Sequence, residues 1–161
     1  MRGKALDGIK EILSAADYEV ALLEKYTEKE ELIAAVKDVD GLIVRSDKVT
    51  KEVLDAAKNL KIVVRAGAGF DNVDLKAASA RGIVVMNTPG QNSNAVAELV
   101  FGMAVYLARN AFNGKSGSEL KGKKIGVHAY CNVVQNLGRI AKGFGLEVFA
   151  FDPFMTDEQI V

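Results

Sequence analysis

A turn closing one strand, a helix leaving that turn and a carboxylate at the end of the next strand can together hold a dinucleotide. The turn and the helix N-terminus take the pyrophosphate, and the carboxylate takes the ribose hydroxyls. The stretch from Lys123 to Asp152, KKIGVHAYCNVVQNLGRIAKGFGLEVFAFD, has that order. Residues 125–129 predict the first strand. Val133, Leu137, Ile140, Ala141 and Phe144 recur at helical spacing, and Gly145 ends the helix. Residues 148–151 predict the second strand, with Asp152 at its end. The glycines of a G-x-G-x-x-G fingerprint would fall at 129, 131 and 134, where this chain has Ala129, Cys131 and Val134. The first glycine makes the turn, the second admits the pyrophosphate and the third lets the helix lie close to the strand. A Cβ in a conformation that only glycine tolerates costs about 1–3 kcal/mol. Cys131 is expected to push its side chain towards the phosphates, and Val134 to wedge helix from strand.

A second group of residues suits an anion. Arg45 and Arg65 each end an apolar strand, where open α/β sheets bind ligands, and a guanidinium there can clamp a carboxylate or phosphate. The bland alternative is an ion pair with Asp47 or Asp74. Gly67 and Gly69 read as a backbone anion nest or as an ordinary turn. Asn92 reads as a substrate-orienting group or as a local loop bond, with Ser93 as the helix cap. His128 is expected to pack at a strand end, and Cys131 to serve as a small apolar filler, although the helix dipole beside it would favour a reactive thiol. Glu98 and Arg109 are expected to be solvated or paired across an interface.

The elements that must position these groups alternate. Residues 5–16 predict an amphipathic helix with Leu6, Ile9, Ile12 and Leu13 on one face, and residues 19–23 a short strand. Thr27 and Glu30 resemble a capping box for a helix ending near Lys37. A strand over 42–45 follows, then a helix over 51–60 capped by Thr50 and a buried strand over 61–65. The turn AGAGFDNVD leads to a helix over 74–80 and a strand over 83–86. After the loop NTPGQNS, a long helix runs from about 93 to 109. The polar, glycine-rich 110–123 connects it to the dinucleotide-type unit. This pace predicts α/β architecture with open parallel sheets. We expect a substrate-type domain over 1–90, a linking helix and connection over 91–112, and an incomplete dinucleotide-binding βαβ over 113–161. Two strands and one helix cannot bury both faces of a sheet. The opening strand of the first domain is expected to be missing or reduced to MRGK.

Composition narrows the partners. Of 161 residues, 49% are hydrophobic, enough for a core, and the formal net charge is zero, which argues against a broad basic surface for nucleic acid or anionic lipid. The charged opening, MRGKALDGIKEIL, predicts no leader peptide, and a cytoplasmic location is expected. One cysteine excludes an internal disulfide, and a single histidine leaves little for a metal.

RAGAGFDNVD after a strand, NTPGQNSNAVAEL opening a long helix, and LKGKKIGVHAY leading to the turn occur in an order and spacing that resemble the D-isomer-specific 2-hydroxyacid dehydrogenase family. The resemblance is strongest to its branch acting on 3-phosphoglycerate. It covers nearly the whole chain and about the first half of such an enzyme. It implies a flavodoxin-like substrate domain followed by a Rossmann NAD-binding domain, hydride transfer to NAD, and a place in serine biosynthesis. It assigns substrate contacts to Arg45, Ser46, Gly67, Ala68, Gly69 and Asn92. Cofactor contacts fall to Val96, Cys131, Asn132, Val133 and Asp152, and Asp152 favours NAD over NADP. The family's catalytic Arg, Glu and His fall beyond residue 161. The expectation is therefore weak or lost NAD binding and no turnover by this chain alone. A homodimer is expected, or pairing with a full-length paralogue. The rivals are a fragment of an intact enzyme, a non-catalytic interaction module, and a small-anion-binding protein.

Overall fold

The computed structural model describes residues 4–160, with side chains from Asp7 onward. The expected remnant strand in residues 1–3 and the side chain of Leu6 lie outside the described residues. Two compact units divide the chain, the first ending at Pro89 and the second starting at Gly90.

In the first unit, β1 (Gly41–Val44), β2 (Ile62–Arg65) and β3 (Val84–Met86) form a parallel sheet in the order β1-β2-β3. Strand periodicity turns alternate residues to opposite faces. Val44 and Val63 face a core with Leu32, Val36, Val53, Leu54, Ala78 and Ile83, contributed by α2 (Lys29–Ala35), α3 (Lys51–Ala56), α4 (Leu75–Ser79) and the start of the last strand segment. The register sets Ile43 beside Val64 and Val64 beside Met86 on the other face. Met86 there is 52% exposed and Val84 55%.

Several local expectations change. Residues 19–23 form no strand; no neighbouring strand offers them a ladder, and Leu22 and Leu23 stay exposed. In α1 (Lys4–Ala15) Ile12 is 71% exposed, so the predicted apolar face is not buried there. The start of α2 shifts by one residue: Glu31 Oε1 accepts from the N–H groups of Thr27 and Glu28. Thr50 precedes α3, but its hydroxyl is buried and unpartnered instead of capping. That helix ends at Ala56, because Ala57 turns out of helical geometry and lets Leu60 enter the core. Asp74 caps α4 by accepting from Ala77 N–H at 3.0 Å.

The second unit pairs β4 (Lys124–His128) with β5 (Glu147–Phe151) in parallel. Long α5 (Ser93–Ala108) and α6 (Asn132–Gly143) pack on one face, around Ala97, Phe101, Leu137 and Ala141. Phe101 stacks on Phe144 with ring centres 5.0 Å apart. Gly145, at φ +72°, ends α6 in the left-handed conformation that glycine adopts without strain. The opposite face of β4 and β5 exposes Phe149 and Phe151. The connection after α5 begins with three left-handed residues, Asn110, Ala111 and Phe112. Among the described residues no helix is long and apolar enough to cross a membrane, and no group of His, Cys, Asp and Glu could hold a metal ion.

Candidate functional site

Parallel register places Val44 opposite Arg65, so Arg45 and Arg65 emerge at the carboxyl ends of adjacent strands. Among the described residues neither pairs with a carboxylate. Arg65 Nε donates to the Arg45 carbonyl at 2.9 Å, and its guanidinium lies over Gly67, where any side chain would displace it. Arg45 is exposed, and its guanidinium has no hydrogen-bond or ion-pair partner among the described residues. The carboxylates expected to neutralise the pair are committed elsewhere, Asp74 to the α4 cap and Asp47 to the hydroxyl of Tyr26 at 2.6 Å.

The loop 66–69 is fixed through its carbonyls. Gly67 O accepts from Thr88 N–H at 2.9 Å, and Ala68 O accepts from the Asn87 side chain at 2.7 Å. Gly67 N–H turns back to the Arg65 carbonyl at 2.8 Å. The N–H groups of Ala68 and Gly69 have no partner among the described residues. The Arg45 side chain and the Ala68 and Gly69 N–H groups follow the ends of adjacent strands, with the Asp71 carboxylate beside Gly69; the guanidinium and the two N–H groups are donors of the kind that hold a carboxylate or phosphate. Ser46, next to Arg45, is exposed at the same edge.

The sequence reading missed what anchors this edge. Tyr26 holds Asp47, Asn72 Nδ2 donates to the Asp47 carbonyl at 2.8 Å, and Asn87 holds the glycine loop. Asn72 and Asn87 sit in the quoted motifs, and an amide within a turn was the available signal. Nothing local pointed to Tyr26.

In the second unit, Asn92 precedes α5, is exposed and makes no capping bond with its side chain. Ser93 is not the cap: it is buried as the first residue of the helix, its N–H bonded to Gly90 O at 3.1 Å. Val96, one turn further, is 37% exposed.

The turn after β4 is the more telling feature. Ala129 leaves the strand and adopts φ +79°, the left-handed conformation that the first fingerprint glycine normally takes. Its N–H still bonds to Phe151 O at 2.7 Å, and the next N–H, of Tyr130, donates to Asp152 Oδ2 at 2.8 Å. Asp152 Oδ1 accepts from Phe154 N–H at 2.9 Å. These two bonds, Phe154 first, hold the Asp152 carboxyl below the ordinary carboxylate range, with a smaller contribution from nearby His128. Cys131 stands in extended geometry (φ −76°, ψ 176°) immediately before α6, followed by Asn132 and half-buried Val133 and Val134. Cys131 is exposed, so it fills no apolar space. His128 is exposed too, stacked on the Phe151 ring at 5.7 Å. Glu98 accepts from Asn94, whose carbonyl oxygen accepts from Arg139 of α6 at 2.9 Å.

This backbone fits a dinucleotide: a left-handed turn, a free-standing helix start and an ionised carboxylate at the adjoining strand end. Only position 129 demands glycine for conformational reasons. At 131 the backbone is relaxed, so the cysteine there carries no backbone strain.

The D-isomer specific 2-hydroxyacid dehydrogenase catalytic-domain model matches residues 4–160. A D-3-phosphoglycerate dehydrogenase of Sus scrofa is 44% identical over 144 residues, 81% of this chain and 27% of that protein. A hydroxypyruvate reductase of Thermotoga maritima is 39% identical over 149 residues, 84% of this chain and 49% of the relative. The NAD+-bound 3-phosphoglycerate dehydrogenase of Entamoeba histolytica superposes with a TM-score of 0.92 at 47% identity, covering 98% of this chain and 52% of that one. The chain thus spans about half the length, or less, of these relatives. By family match, sequence and fold, this chain belongs to the D-isomer-specific 2-hydroxyacid dehydrogenases.

Proposed function

We propose that the chain carries the substrate-binding unit and the opening dinucleotide unit of an NAD-dependent dehydrogenase acting on 3-phospho-D-glycerate. The observation that carries this reading is the Asp152 carboxylate bonded to the N–H of the left-handed β4–α6 turn. In this reading Asp152 receives the ribose hydroxyls, and its charge disfavours the 2′-phosphate of NADP. Cys131, Asn132 and Val133 border the pyrophosphate, and Val96 the nicotinamide side. Arg45, Ser46 and the backbone of Gly67, Ala68 and Gly69 receive the substrate's anionic groups, with Asn92 beside them. NAD would supply the hydride acceptor for oxidation of the C2 hydroxyl, in serine biosynthesis. With its turn altered, the chain alone is expected to bind 3-phosphoglycerate, to bind NADH weakly and to give no turnover.

Titration of the purified chain with each ligand, beside an NAD-reduction assay, tests this reading. Binding of 3-phosphoglycerate without NAD reduction supports it. Turnover above a blank, or no response to 3-phosphoglycerate, contradicts it.

A second reading rests on α5, which leaves Leu99, Met103 and Leu107 exposed along one helix. That stripe suits a protein contact, either in a homodimer or with an intact dehydrogenase. Sedimentation of the chain alone and mixed with a full-length family member separates the two.

A further inference from the structure

The Arg45-Ser46 edge is held by bonds from outside its own loop. Tyr26 Oη donates to Asp47 Oδ1 at 2.6 Å. Asn72 Nδ2 donates to Asp47 O at 2.8 Å, and Arg65 Nε to Arg45 O at 2.9 Å. Immediately after, Val49 N–H bonds to Asn72 O at 2.8 Å, and Asp74 N–H to Val49 O at 2.9 Å. The two loops that follow β1 and β2 are therefore laced together, and Arg65 and Asn72 belong to that lacing. Tyr26 is different. It comes from the segment before α2, far along the chain from either strand end, and its ring packs partly buried against the core. A rigid aromatic body that delivers one hydroxyl onto a loop side chain fixes that side chain at low entropic cost. Meanwhile the Arg45 side chain has no partner among the described residues, so only its backbone, beside that of the 66–69 loop, directs it.

We propose that Tyr26 is a positioning residue for the anion site: by clamping Asp47 it sets the backbone from which Arg45 and Ser46 meet a substrate carboxylate or phosphate. This rests on the substrate reading above and names the residue that tunes that site. Tyr26 touches no ligand in this scheme. Its effect reaches the anion through Asp47, and the sign of the Asp47 variants distinguishes it from simple electrostatics. Removing the Asp47 charge near an anion site would by itself tighten anion binding. Removing its clamp should loosen it.

The test is calorimetric titration of the full 161-residue chain with 3-phosphoglycerate, paired with amide hydrogen exchange at Val49 and Asp74. Tyr26→Phe keeps the ring and deletes the hydroxyl; it should weaken 3-phosphoglycerate binding three- to tenfold and speed exchange at both amides. Asp47→Ala should weaken binding by a similar factor. Asp47→Asn keeps an acceptor for the hydroxyl and should bind as tightly as the parent or more tightly. Tyr26→Phe combined with Asp47→Ala should be no worse than either alone. Parent-like binding by Tyr26→Phe, or tighter binding by Asp47→Ala, overturns the positioning role while leaving the substrate reading standing. Absence of 3-phosphoglycerate binding by the parent chain overturns both. Unchanged exchange at Val49 and Asp74 in a folded Tyr26→Phe protein shows the clamp does not hold the loop and overturns the positioning role alone.

Discussion

Ala129 is one methyl group in the wrong conformational region. A non-glycine residue in left-handed geometry costs about 1–2 kcal/mol, part of which glycine would lose again through its larger unfolded-state entropy. Ala129→Gly should therefore stabilise the second unit by about 0.5–1 kcal/mol, read as a shift in the urea midpoint with an unchanged slope. Asp152 makes a pH-dependent contribution. Its folded carboxyl lies below the ordinary range, so its contribution is present above the unfolded value near 4 and is lost as pH falls through the folded one. Asp152→Asn should lower stability at pH 7 and flatten the decline between pH 5 and 3, followed by denaturant titration at each pH. Tyr26 acts at the other extreme. Burial, with the bond to Asp47, pushes its phenol up from 10 to about 12. A raised acid stabilises the fold below its unfolded pKa, and that contribution fades as pH climbs from 10 to 12. The alkaline loss of stability over that window should be smaller in Tyr26→Phe than in the parent.

Among the elements, the apolar periodicities were legible. The residues predicting strands at 42–45, 61–65 and 148–151 form β1, β2 and β5 within a residue of those limits, because alternating or continuous branched apolar residues have few other ways to be buried. Residues 19–23 carry the same signal and form no strand: a strand exists only where another edge bonds to it, and that is a property of the whole sheet. The early end of α3 is likewise set by tertiary context, the pull of Leu60 into the core, whereas the α2 start shifts by one residue through local bonds from the Thr27 and Glu28 N–H groups to Glu31. The site shows the same limit. Asp152 and the turn were readable from spacing, whereas the pairing of Asp47 with Tyr26 joins residues 21 apart through space and left no local trace. Arg45 and Arg65 were read as clamps or ion-pair members; the fold gives Asp47 and Asp74 other work, so neither ion pair forms.

Across the molecule each unit closes its own core, the first between Leu32 and Ile83 and the second between Ala97 and Ala141. Leu54→Ala and Leu137→Ala should each cost about 2–5 kcal/mol. Their amide-exchange effects should fall in the first and second unit respectively, and their costs should add within about 0.5 kcal/mol because they share no packing partner. Exchange changes spreading evenly over both units would contradict that division. The fingerprint substitutions fall in the second unit alone.

In the proposed function the β4–α6 turn keeps the backbone of a dinucleotide site, and the side chains at 129, 131 and 134 weaken NADH binding. The direct measurement is NADH binding, by fluorescence titration, of the parent chain beside the Ala129→Gly, Cys131→Gly, Val134→Gly triple variant. The parent should bind weakly and the triple variant at least tenfold more tightly, about 1.4 kcal/mol or more. Equal affinity in the two proteins, or a parent that binds more tightly than the variant, would contradict it.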